Sequence, residues 1–251
     1  MHRLILPLAI MILTACASHQ TPPPSTPNSL PALNPRNKAS VAADALPGVN
    51  QAVLKSIEQL HMPAPVKQLT YIELAGTVSN SKKSWPESTE YFLSTDPGTQ
   101  QLAITHKSEN LNGRQISWRG LLNLSGKEQA KLSQNTAVIN SLSFRGDWSR
   151  MAVGSQLGYT QQGSLTSNVI GTLGEEPKTF DCIVDSEGPA KRLHPGLSGS
   201  AKALDCREQR RTKTPSPVKR YYYLVDYGFF YLASTDKNDP FSLDMHVRNV
   251  K

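Results

Sequence analysis

Cysteine is scarce: Cys16, Cys182 and Cys206 are the three in 251 residues, which leaves no cysteine set for a metal centre. His61, His106, His194 and His246 stand far apart, without the short spacing of a zinc-binding or catalytic helix. The apolar stretch Leu4 to Leu13 is about half the roughly twenty residues that a bilayer-crossing helix needs. No phosphate loop, dinucleotide fingerprint or calcium loop occurs. These absences predict no cofactor and no bound metal. Strong amphipathic helices are also missing between the strand-like segments, which excludes an alternating α/β architecture.

What is present begins with an address. Arg3, the apolar stretch Leu4 to Leu13 and the small residues Thr14 and Ala15 have the layout of a secretory signal over residues 1–15. Leu13-Thr14-Ala15-Cys16 resembles the bacterial lipobox. That resemblance implies cleavage before Cys16, acylation of the Cys16 thiol and amine, and attachment to a lipid bilayer, since several acyl chains hold where one slips off. Position 17 is Ala, not Asp. By resemblance to enterobacterial sorting, this implies the outer membrane, with the domain on its periplasmic face.

Residues 16–47 follow as a lipidated N-terminus and a proline-rich tether, with too few large apolar side chains to bury. Fully extended at ~3.1 Å per residue, it reaches up to about 90 Å. Residues 48–251 form the expected extracytoplasmic domain. In an oxidising compartment Cys182 and Cys206, the pair left after Cys16 is acylated, are expected to form a disulfide. The formal charge of +7 falls to +6 once Arg3 is removed. Bases concentrate at Arg207, Arg210, Arg211, Lys213, Lys219 and Arg220, with Glu208 the one acid among them. Such a run attracts anionic envelope components or an acidic protein, or serves simply as a solvated loop. Nucleic acid is not the expected partner.

Hydrophobic periodicity sets the fold class. Val49, Val53, Leu54, Ile57 and Leu60 recur at helical spacing and predict one short helix ending before Pro63, with Val41 to Leu46 as a candidate extension. Beyond Pro65 the period becomes two. Strands are expected around Ile72 to Val78, Tyr91 to Ser94, Leu102 to Ile104, Ile116 to Leu124 as one long strand, and Val138 to Phe144 with Asn140 a misfit. Others are expected around Met151 to Tyr159, Phe180 to Val184, Leu204 to Cys206, Tyr221 to Leu232 and Leu243 to Val247. Turns are read at Asp96-Pro97-Gly98, Leu111-Asn112-Gly113 and Glu187-Gly188-Pro189. The sum is a mainly β protein of roughly ten antiparallel strands, curved and barrel-like or folded as a sandwich. Tyr221 to Leu232 is bulky on both faces, which predicts a central strand covered on both sides, with Gly228 marking a bulge or close approach.

Catalytic patterns fail on inspection. His194-Pro195-Gly196-Leu197-Ser198-Gly199-Ser200 lacks the second glycine of a nucleophile elbow and reads as a loop inside the disulfide. Ser79-Asn80-Ser81-Lys82 and Ser216-Pro217-Val218-Lys219 match Ser-x-x-Lys but sit in loop-like sequence without partner motifs. Glu175-Glu176 reads as a solvated turn. The functional expectation is therefore a non-enzymatic envelope binding or assembly module. A periplasmic inhibitor or immunity protein is the narrower alternative, and a hydrolase whose residues meet only in the fold is the remaining one.

Overall fold

A computed structural model describes residues 46–95, 100–109, 111–174, 176–210, 215–236 and 239–251. The expected short helix is α1, Gln51–Glu58. The Asn50 side chain caps it by accepting from the Ala52 N–H (2.8 Å), as a short polar residue at that position does. Eight residues are too few to hold a helix in water. Val53 and Ile57, buried on one face among core residues, supply the stability that length does not.

Thirteen antiparallel strands follow among the described residues: β1 Tyr71–Ser79, β2 Ser84–Thr95, β3 Gln101–Lys107, β4 Leu111–Trp118, β5 Leu122–Ala130, β6 Gln134–Arg145 and β7 Gln156–Ser167. Then come β8 Gly171–Gly174, β9 Lys178–Pro189, β10 Ser200–Gln209, β11 Val218–Leu224, β12 Phe229–Thr235 and β13 Ser242–Val250. The order β6-β5-β4-β3-β2-β1-β13-β12-β11-β10-β9-β7 closes through a further β6–β7 pairing, and β8 extends β7 outside the ring. The fold is thus a closed twelve-strand antiparallel barrel, which leaves no long sheet edge exposed. Closure is uneven. β1 pairs with β13 over eight register positions, whereas β12 meets β13 at Ser234↔Asp244 alone.

Several segment boundaries differ from the sequence reading. Ile116 to Leu124 is a hairpin, with the chain reversing through Arg119 (φ 51°) and Gly120 (φ 82°) between β4 and β5. Tyr221 to Leu232 is likewise two strands, reversed by a 3₁₀ turn at Val225–Tyr227 that ends in left-handed Gly228 (φ 59°). Alternation cannot reveal either reversal, because the apolar period runs across the turn. Leu111-Asn112-Gly113 opens β4 and Glu187-Gly188-Pro189 closes β9, so neither is a turn. Met151 lies in the connection between β6 and β7, and β7 begins only at Gln156. The misfit at Asn140 has a plain cause: the register with β7 shifts between Ile139 and Ser141, a bulge that absorbs one residue. Asp96-Pro97-Gly98 and most of the candidate helix extension lie outside the described residues.

Two cores fill the barrel, and the β11–β12 hairpin separates them. Tyr223 and Phe230 face the first core, whose aromatic centre includes Trp118 and Trp148 edge-on at 5.6 Å and Tyr159 stacked on Phe180 at 4.7 Å. Leu224, Phe229, Tyr231 and Ala233 face the second core, against Leu74, Ile104 and Met245. The expectation of apolar burial on both faces therefore holds for a hairpin where the sequence suggested one strand.

Arg119 locks this arrangement. It is 2% exposed. Its Nη1 donates to the Tyr223 hydroxyl (2.8 Å) and its Nη2 to the Pro63 carbonyl (2.6 Å). Its own carbonyl accepts from the Phe230 N–H (2.7 Å), while Nε has no partner among the described residues. Burial lowers the guanidinium's pKa, with the Tyr223 hydroxyl opposing that shift.

The disulfide joins Cys182 of β9 to Cys206 of β10, directly opposite in register and buried in the first core. The bond closes a loop with a sequence separation of 24. Breaking it by reduction, or by Cys182→Ser with Cys206→Ser, is expected to remove about 3 kcal/mol of stability by freeing the unfolded chain. The urea midpoint should drop for the wild type under reductant and stay fixed for the double variant. A wild-type midpoint indifferent to reductant would refute the assignment.

Candidate ligand cavity

Strand alternation places a row of side chains on the inner face of β1 to β5. The register runs Tyr91↔His106 between β2 and β3, His106↔Gly113 between β3 and β4, and Gly113↔Glu128 between β4 and β5. Residues directly opposite in antiparallel strands share a face, so Tyr91, His106 and Glu128 project to the same side. Gly113 makes the row possible. A Cβ there would lie 2.2 Å from the His106 Cε1, so the imidazole occupies the space that a side chain would take.

Between this wall and the β11–β12 hairpin lies a cavity of about 580 Å³. Ile104, Leu121, Phe229 and Phe230 form its apolar side. Trp85, Glu87, Tyr91, His106, Gln115 and Glu128 supply its polar groups. Its size and composition are those of a small-molecule site, mostly apolar with a few converging polar groups.

The electrostatics follow from enclosure. His106 is 7% exposed and has no hydrogen-bond partner among the described residues; its ring lies 6.2 Å from that of Tyr91. Burial lowers its pKa below the ordinary imidazole range, with Glu128 pulling the other way. The Tyr91 hydroxyl is pushed up to about 12, first by burial and then by the Glu87 and Glu128 carboxylates. Among the described residues, no side chain donates a hydrogen bond to Glu87 or Glu128 and no cation pairs with either.

The basic run is divided by the strand pleat. Arg220 points outward from β11 and grips Asp205 with Nε (2.7 Å) and Nη2 (2.6 Å), with Asp185 at 3.3 Å. Those hydrogen bonds raise its pKa, so its charge is already matched. Lys219 is opposite Cys206 in register, on the other face, and lines a separate cavity of about 300 Å³ with Tyr159 and Tyr221. Arg207 is exposed near the end of β10, and exposed Arg210 pairs with Glu208 at 3.2 Å. Arg211, Lys213 and Cys16 lie outside the described residues.

The Ser198 loop connects β9 to β10. The Ser198 hydroxyl accepts from Lys67 Nζ (2.5 Å) and lies 3.2 Å from the Tyr227 hydroxyl. Lys67 is about half exposed, 4.0 Å from the Asp226 carboxylate. The contact pins the segment before β1 to the β11–β12 turn; the Val66 and Lys67 N–H groups both donate to the Asp226 carbonyl (2.9 Å each).

Sequence reasoning met His106 only as one of four widely spaced histidines, and passed over Glu87, Tyr91 and Glu128 as site residues. Their signal was positional: His106 continues the inward alternation of Leu102 and Ile104, and Glu87 that of Tyr91 and Leu93. A polar group at a core-facing position is the informative exception to burial rules. Compared with protein-family models, curated proteins and solved structures, the chain matches none. The class it belongs to is therefore defined by its own geometry: a closed antiparallel barrel with a cavity, partly open to solvent, on its β1–β5 wall.

The depressed His106 pKa gives a signed expectation. The unfolded chain binds this proton more readily than the folded one, so stability is full above ~6.5 and falls as pH drops through that value toward the folded pKa. His106→Phe should reduce the difference in urea midpoint between neutral and mildly acidic buffer. An unchanged difference would place the acid sensitivity elsewhere.

Proposed function

We infer that the protein is a lipid-anchored extracytoplasmic binding protein, non-enzymatic, that takes a small hydrophobic molecule into its barrel. The observation that carries this reading is the 580 Å³ cavity, in which a buried histidine without a hydrogen-bond partner meets an aromatic wall. At about 30 Å³ per atom, the volume of a liquid water, it has room for about twenty non-hydrogen atoms. The β1–β5 wall of the cavity is continuous sheet, and a rigid scaffold of this kind holds a preformed site.

The anchor belongs to the same reading. Acylation at Cys16 and Ala17 after it support attachment to the outer membrane, and the tether gives the barrel reach from the bilayer. Labelled palmitate is expected to enter the wild-type protein in cells and to be absent from Cys16→Ser; equal labelling of both would overturn the anchor.

Binding is tested with an uncharged aromatic dye whose fluorescence rises in apolar surroundings. Thr89 lines the cavity from β2, so Thr89→Trp fills space there while a large aromatic remains compatible with a strand. The dye should bind the wild type and bind Thr89→Trp at least tenfold more weakly, with thermal melting of the variant confirming its fold. Equal binding by a folded Thr89→Trp would remove the cavity as the site.

A further inference from the structure

We propose that the cavity selects a hydrophobic ligand bearing a protonated amine, seated between Glu87 and Glu128 with its apolar body against the β11–β12 hairpin. This rests on the reading of the cavity as a binding site and adds the ligand's charge.

The case begins with unmatched acceptors. Ionised carboxylates accept hydrogen bonds and donate none, and withdrawing them from water is costly unless a cation or donors compensate. Glu87 and Glu128 are half-buried at the cavity wall, and among the described residues neither has a paired base or a hydrogen-bond donor. This contrasts with Glu73, which takes Arg248 at 2.8 Å, and Asp205, which takes Arg220 at 2.6 Å. Glu73 and Asp205 are matched by the barrel's own bases and Glu90 takes the Tyr71 hydroxyl, while the two carboxylates at the cavity are left to something that enters it.

The second observation is His106. It is more than nine-tenths buried, lines the same cavity and makes no hydrogen bond among the described residues. A neutral imidazole offers one donor and one acceptor nitrogen, and the acceptor suits an ammonium N–H. Tyr91, His106 and Glu128 stand in one register row of the wall and Glu87 lines the same cavity, so these groups form its polar side. Aromatic rings at Trp85, Tyr91 and Tyr231 border the same space, and an ammonium near an aromatic face gains further attraction.

A metal ion fits less well. Among the described residues, no three histidine, cysteine or acidic side chains converge as ligands of one ion. An organic cation needs no such convergence, because its charge is spread over a larger group and its apolar part fills the remaining volume.

Titration calorimetry with n-decylamine, n-decanol and decanoate on the folded protein at neutral pH tests the assignment. The amine is expected to bind at least tenfold more tightly than the alcohol, and decanoate most weakly. Glu87→Gln combined with Glu128→Gln should bring the amine affinity down to that of the alcohol while alcohol binding persists, which shows the cavity intact. An alcohol or carboxylate that binds as tightly as the amine overturns the charge assignment with the binding site still standing, and that ratio is read on the wild type alone. An amine preference surviving in a double variant that still binds decanol also overturns the role of these carboxylates. Failure of all three ligands to bind the wild type more tightly than Thr89→Trp overturns the cavity reading itself.

Discussion

The β11–β12 hairpin is buried on both faces, and the rest of the barrel is arranged to cover it. A strand with bulky side chains on both sides must find two apolar surfaces. Here one is the tryptophan-centred core and the other is the inner face of the β1–β3 wall with β13. Arg119 fixes the hairpin between them, since one residue binds the Tyr223 hydroxyl, the Pro63 carbonyl and the Phe230 N–H. A buried guanidinium with no carboxylate partner is not retained for its own stability. Its geometry instead joins three chain segments that are remote in sequence.

The cavity is the residue of this constraint. The hairpin faces the β1–β5 wall across this space, and that wall carries Gln115 at an inward position where a larger apolar residue would close the gap. The Gly113 position admits the His106 ring, and that ring in turn lies within the electrostatic field of Glu128. Packing and polarity of the site are thus set by the same register row. The disulfide lies in the first core, to which Leu121 and Phe230 of the cavity lining also belong.

The strand pattern, the short helix and the Cys182–Cys206 pairing were legible in the sequence because each depends on local spacing or composition. Closure into a barrel was not, since Asn135↔Ser167 and Ile72↔Val250 join segments whose pairing leaves no mark on alternation. Arg119–Gly120 were read through as strand and Gly228 as a bulge or close approach within one strand, because their left-handed turns reverse the main chain without interrupting the apolar period. The basic run read as one patch because sequence proximity ignores the pleat; in β11 it sends Lys219 and Arg220 to opposite sides. Glu87, His106 and Glu128 come from three strands, and only the lateral register brings them to one wall.

The single bridge between β12 and β13 gives the barrel a seam. Everywhere else around the ring, neighbouring strands are joined over at least five register positions; here Ser234↔Asp244 stands alone. Between that bridge and the Phe230 N–H bonded to Arg119, Leu232 lines the cavity. A cylinder laced tightly on eleven sides and by one stitch on the twelfth has its least costly breach at that stitch. Leu232 beside that stitch lines the cavity, so the sparsest stretch of main-chain bonding borders the ligand space.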